Sequence, residues 1–336
     1  MNKIFTIIFL FFLLISCSVS KGAKLNEDAV KIKFASRIIK SELDTKLYIL
    51  ASDVFEGRRT GEKGQKLAAS YIADFYNHIG VDPPIGYDNY FQEIPQEFFK
   101  GHSKSSSENI VAYIPGSEFR EEIVVISSHY DHLGKKGDVI YYGADDDASG
   151  TTAVMVIAEA FQRARKAGYG PRRSILFLNF TGEEQGLFGS KYYASHPIFP
   201  LSNTVVNLNI DMIGRVDEKN KDHPEYIYLI GADKLSKQLH KLSESTNKKY
   251  TKLTLDYTFN DDKDPNRYYY RSDHYNFAKN NIPVIFYFNG VHKDYHKFTD
   301  TADKINYDLL AKRTRLIFYT AWEIANRDER LVLDKN

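Results

Sequence analysis

An α/β domain with a mixed, mainly parallel central sheet sandwiched by helices is predicted by two observations. Short apolar runs rich in Val, Ile and Phe alternate with amphipathic stretches of helical period. Four of those runs lead into an acidic residue or a histidine, and in open α/β sheets ligands bind beyond the carboxyl ends of the strands.

In chain order, Lys3 is followed by an apolar run from Ile4 to Ile15, too short for a permanent span and suited to a signal peptide over residues 1–16. The run ends in Leu14-Ile15-Ser16-Cys17, which resembles a bacterial lipobox, so Cys17 is expected to be lipidated and residues 17–30 to form a polar tether. Residues 31–336 then read as a single domain. Helices are expected over Glu42 to Ala51, Glu62 to His78, Gly150 to Lys166, Leu187 to Ser195, Lys234 to Glu244 and Tyr307 to Ile324. In the second, Leu67, Tyr71 and Phe75 repeat every fourth residue and Gly80 suits a helix end. Strands are expected over Ile110 to Ile114, Ile123 to Ser127, Ser174 to Phe180, Thr204 to Ile210, Tyr226 to Ile230 and Pro283 to Phe288.

The composition narrows the function. The 336 residues carry a formal net charge of +1 and no basic run stands out, which speaks against a nucleic-acid binder. A single cysteine excludes an intramolecular disulfide and a sulfur-ligated zinc cage. The membrane is expected as a partner only through the lipid on Cys17, which places the domain in a bacterial cell envelope.

The residues after the strands share one chemistry. His129 follows the second strand, Glu183 and Glu184 the third, Asp211 the fourth, and His296 the last through a short loop; Asp146 lies in Gly143-Ala-Asp-Asp-Asp-Ala-Ser-Gly150 before a helix. His129, Asp146, Glu184, Asp211 and His296 supply imidazole and carboxylate donors, which suit catalytic zinc. Three carboxylates and a bridging hydroxide balance two Zn²⁺, whereas one ion would leave buried negative charge. Asp146 is placed to bridge, and Asp131 to accept the other ring N–H of His129. Neighbouring side chains in extended backbone diverge, so one of Glu183 and Glu184 is a ligand and the other a general base. Spacing alone favours Glu184 as ligand and leaves the reverse open.

Together with Asn209-Ile-Asp211-Met-Ile-Gly214, Gly182-Glu-Glu-x-Gly-Leu-x-Gly-Ser190 and Tyr295-His296-x-x-Thr-Asp300, these motifs resemble the co-catalytic zinc aminopeptidases of peptidase family M28 across roughly Asp53 to Asn326. Glu56-Gly57-Arg58 and Arg271-Ser-Asp-His-Tyr275 also resemble that family. The resemblance implies a zinc exopeptidase fold acting on peptide substrates. Two co-catalytic zinc ions would sit on His129, Asp146, Glu184, Asp211 and His296, with Asp146 bridging, Glu183 as base and Tyr295 as oxyanion donor. Asp273 is expected to support the site, and His274 and His292 to be structural. One departure is that Asp145 and Asp147 flank Asp146 where Asn is common, which leaves open which Asp bridges. A single-zinc glutaminyl cyclase and a non-catalytic ectodomain on the same scaffold are the alternatives.

Overall fold

The computed structural model describes residues 26–334; the signal segment and Cys17 lie outside the described residues. The strands are β1 (Phe91–Ile94), β2 (Ser107–Ile114), β3 (Phe119–His129), β4 (Gly134–Lys136), β5 (Val139–Tyr141), β6 (Arg173–Phe180), β7 (Thr204–Ile210), β8 (Tyr226–Ile230), β9 (Thr254–Asp256) and β10 (Val284–Phe288). The helices are α1 (Glu27–Ala35), α2 (Lys40–Leu50), α3 (Lys63–Ile79), α4 (Gly150–Lys166), α5 (Phe188–Ser195), α6 (Lys237–Tyr250), α7 (His274–Ala278) and α8 (Tyr307–Asn326).

Eight strands form one sheet in the order β1-β2-β6-β3-β7-β10-β8-β9. Its centre, β6-β3-β7-β10, is parallel, while β1-β2, β2-β6 and β10-β8 are antiparallel. Period-two alternation sorts the core. Val124, Ile126, Ile175 and Phe177 face the cluster that α1, α2, α3, α4 and α8 complete, whereas Ile123, Val125, Leu176 and Leu178 face the side of α5 and α7. Being covered on both faces is why the central strands read as unbroken apolar runs.

The expected strands and helices agree with the structure to within a few residues, except that α6 runs on to Tyr250. Gly80 ends α3 in the left-handed conformation, at φ 75°. The short edge strands β1 and β9, the β4–β5 hairpin, α1 and the single-turn α7 escaped the pattern. Three or four residues at a sheet edge carry too little periodicity to register. The tether was placed too far along: α1 begins at Glu27, with the Asn26 side chain accepting the Ala29 N–H at 2.7 Å. Val30 and Phe34 are buried against the core, and Lys31 is drawn in by Glu323 at 2.6 Å. Residues 27–30 are therefore part of the folded body. Among the described residues no helix is long and apolar enough to cross a membrane.

One buried cation ties the carboxyl edge of the sheet together. Arg58 is 1% exposed, and its guanidinium donates to the carbonyls of Leu50 (2.6 Å), Tyr130, Tyr142 and Gly143 (2.8 Å each). Burial pulls its pKa down to about 10, with Asp131 and Asp146 opposing the fall. Replacing Arg58 by Met would strand these carbonyls and remove a cation facing buried acids. The expected loss is about 3–5 kcal/mol of stability, read from urea unfolding. A change below ~1 kcal/mol would contradict the role given to Arg58.

Candidate metal centre

The five strand-end elements meet at the carboxyl edge of the parallel strands. β3 delivers His129 as its last residue, β6 leads into Glu183 and Glu184, β7 into Asp211, and the loop after β10 carries Tyr295 and His296. Asp146 comes from the turn before α4. His129 Nε2 lies 3.3 Å from Asp146 Oδ1 and 3.5 Å from Asp211 Oδ1. On the other side, His296 Nε2 lies 3.1 Å from Asp146 Oδ2 and 3.3 Å from Glu184 Oε2. Two donors on one tetrahedral ion at about 2.0–2.1 Å stand about 3.3 Å apart, so each group has the spacing of a shared divalent cation. All the predicted ligands are brought together, and each oxygen of Asp146 faces a different imidazole.

The flanking aspartates have other partners. Asp147 accepts the N–H groups of Gly150 (2.8 Å), Met212 (3.0 Å) and His129 (3.3 Å). Asp145 accepts the Gly214 N–H at 2.7 Å and faces His292 Nε2 at 3.1 Å. Both carboxylates brace the loop, Asp145 with His292 beside it, which leaves Asp146 as the aspartate whose two oxygens face imidazoles of the site. Asp300, to which sequence reasoning gave no role, accepts the N–H groups of Asp145 (2.9 Å) and Asp146 (3.2 Å). It sits in the quoted Tyr295-to-Asp300 motif, which was the available signal.

Asp131 sits behind His129 as expected, with a different contact. The nearest acceptor for His129 Nδ1 is the main-chain carbonyl of Asp131 at 3.1 Å, whereas its carboxylate is 3.7 Å away. The carboxylate instead accepts the Glu183 N–H (3.1 Å) and the Thr60 hydroxyl (2.7 Å), so Asp131 orients the Glu183 segment. Behind Asp211, Ser272 donates to Oδ2 at 2.6 Å and takes a hydrogen bond from Asn209 at 2.9 Å. Asp273 is buried against Ser190, and burial pushes its carboxyl up to about 7. His274 stacks on Phe286, and burial drives its pKa down to about 3, which leaves it a neutral core group. His132, not singled out in the sequence, is fully buried beside Glu184, with Nδ1 2.8 Å from Oε1. Its signal was the third-residue spacing from His129.

Charge and burial act against each other throughout the site. Burial raises Asp146, but contacts to His129 and His296 outweigh it and hold the carboxyl well below its usual range. Burial lowers His296, yet Asp146 and Glu184 carry it up to about 10. Burial first, and then Asp211 and Glu184, push Glu183 well above the usual glutamate range against the pull of His129. The carboxylates thus call for positive charge at the imidazole side, which a divalent cation bound there would supply.

A cleft opens on this centre, lined by Asp146, Glu183, Asp211, Tyr295 and His296. Met212, Tyr268, Phe286 and Phe288 give it an apolar wall, with Arg271 also lining it. Tyr295 stacks on His296 with ring centroids 3.8 Å apart, and the surroundings push its phenol pKa up, so it remains a donor.

If Asp146 holds both groups together, Asp146→Ala should abolish stable divalent-metal binding at either, measured as metal per protein after gel filtration. Full metal content in that variant would contradict the bridging geometry.

The comparisons agree with this architecture. A probable zinc metalloprotease of Leptosphaeria maculans is 38% identical over 111 residues, covering 32% of this chain and 24% of that protein. One of Pyricularia oryzae is 28% identical over 260 residues, covering 65% of this chain and 50% of that protein. The chain thus spans half or less of the length of these relatives. Among solved structures, the LapA aminopeptidase of Legionella pneumophila shares the fold with a TM-score of 0.70 at 18% identity, covering 91% of this chain and 77% of that one. The family model described as peptidase family M28 matches residues 109–321, a stretch that holds all five predicted ligands and both glutamates, and the chain belongs to that family.

Proposed function

We propose that this protein is a zinc-dependent aminopeptidase that removes residues from the amino terminus of peptides. The observation that carries the reading is the pair of donor groups sharing Asp146 and opening on one cleft with a carboxylate free of either group. The oxygen-and-imidazole donor set fits zinc. Two ions are assigned, one to His129, Asp146 and Asp211, the other to Asp146, Glu184 and His296. These residues would hold zinc, whose chemistry there would be to acidify a water and polarise the scissile carbonyl.

The chain's own groups do the rest. Glu183 lines the cleft, and the Asp131 carboxylate holds its backbone N–H. In this reading it takes the proton of the attacking water and returns it to the leaving amine. Tyr295, which lines the cleft, would supply a phenol donor to the oxygen on which charge develops. Of the acids lining the cleft, Glu183 is the one that neither ion takes, and it can face a substrate's ammonium terminus, which supports aminopeptidase over carboxypeptidase action. Met212, Tyr268, Phe286 and Phe288 would take an apolar terminal side chain. On the sequence grounds above, the domain is assigned to a bacterial cell envelope, anchored through lipid on Cys17.

A glutaminyl cyclase of Porphyromonas gingivalis has a related fold, with a TM-score of 0.63 at 16% identity, and its name describes a different reaction. The two complete donor groups favour the peptidase. The test is the zinc-loaded protein on aminoacyl amides. Leu, Met and Phe amides should be cleaved faster than Asp and Gly amides. Glu183→Ala should lose about 10²–10⁴ in kcat while keeping its zinc. Undiminished turnover in that variant would contradict the base assignment. A protein holding one zinc that cyclises N-terminal Gln and releases no amino acid would replace the reading with the cyclase.

A further inference from the structure

His132 is the buried polar group at the centre that the proposed chemistry does not use. The chain brings it there deliberately: its backbone N–H donates to the Arg58 carbonyl at 3.1 Å, and it forms a parallel bridge with Arg59. The ring fills the space that Gly143 leaves open, since a Cβ on that glycine would stand 2.4 Å from the His132 ring. His132 is 0% exposed, so its imidazole cannot satisfy itself in solvent.

Distances separate two roles for it. Donor atoms assigned above to a common cation are 3.1–3.5 Å apart. His132, Asp146 and Glu184 lie close enough together to hold an ion, but His132 Nδ1 stands 2.8 Å from Glu184 Oε1, the length of a charge-assisted N–H···O contact, and 3.9 Å from Asp146 Oδ2, longer than the spacing of two donors on one tetrahedral ion. The pair is close in distance but not aligned as a hydrogen bond, and His132 Nδ1 and Glu184 Oε1 are both buried without any other hydrogen-bond partner among the described residues, so each is the other's available counterpart. The other oxygen of the same carboxylate, Oε2, faces His296. Glutamate has three rotatable side-chain bonds, and locking one oxygen fixes the direction of the other.

We propose that His132 is a positioning residue for the second metal group: its Nδ1–H holds Glu184 Oε1 so that Oε2 is presented to the ion beside Asp146 and His296. This rests on the zinc reading above. It makes the two groups unequal by design. One carboxylate ligand, Asp211, is steadied by a serine hydroxyl and the other, Glu184, by a buried imidazole.

The test is chelator competition for zinc on the full-length protein, reading the two affinities separately, with cobalt substitution as a spectroscopic check. His132→Ala should weaken one zinc about 10–100-fold, the loss expected for an outer partner, and leave the other unchanged. His132→Leu, which keeps the volume, should do the same and serves if the alanine variant does not fold. His132→Asn places an amide N–H where Nδ1 was and should restore the affinity and the cobalt spectrum. Unchanged zinc affinity in the Ala or Leu variant would overturn the proposal. So would loss beyond ~1000-fold together with an altered cobalt spectrum in the Asn variant, which would make His132 a direct ligand. A wild-type protein that binds no zinc would instead refute the zinc reading itself.

Discussion

The site depends on a single carboxylate placed between two imidazoles. Asp146 turns one oxygen to His129 and the other to His296, from elements separated by most of the domain's length. A carboxylate that serves two sides has no freedom to rotate, so its loop must be fixed independently. Asp145, Asp147 and Asp300 supply that constraint by accepting backbone N–H groups from the loop itself, from α4 and from the turn after β7. The three neighbours of the bridge are thus structural acids, held by main-chain donors, with His292 beside Asp145 and Arg215 beside Asp300.

The same arrangement explains the electrostatics. The near-neutral chain concentrates acids at one end of its sheet, where burial raises Asp147, Glu183 and Asp273 and lifts Asp300 to about 6. Arg58 opposes this from beneath, and its hydrogen bonds go to carbonyls, which leaves the carboxylates free to face the cleft. Arg58 therefore supports the backbone, Arg215 pairs with Asp294 and Asp300, and the remaining negative charge is what a pair of divalent cations would neutralise. The interplay is one of geometry first and charge second.

Much of this was legible in the sequence because parallel strands buried on both faces leave uninterrupted apolar runs, and each run ends where the sheet presents its ligands. His129, Asp211, Glu183 and Glu184 could be placed by that rule alone. What stayed hidden depended on contacts between distant segments. The sequence could not show that Asp131 would turn its carboxylate to Thr60 and Glu183 and offer His129 a carbonyl. It could not separate Asp145, Asp146 and Asp147, since adjacent aspartates differ only in which backbone donors surround them. Nor could it show that residues 27–30 fold, because α1 is held by Lys31 reaching Glu323, a partner near the other end of the chain.

The most direct test is a crystal structure of the zinc-loaded protein with anomalous data collected at the zinc edge. The account predicts two anomalous peaks, one on either side of the Asp146 carboxylate, the first within bonding distance of His129 and Asp211 and the second of Glu184 and His296. A single peak, or a peak held by Asp145 or Asp147, would contradict it.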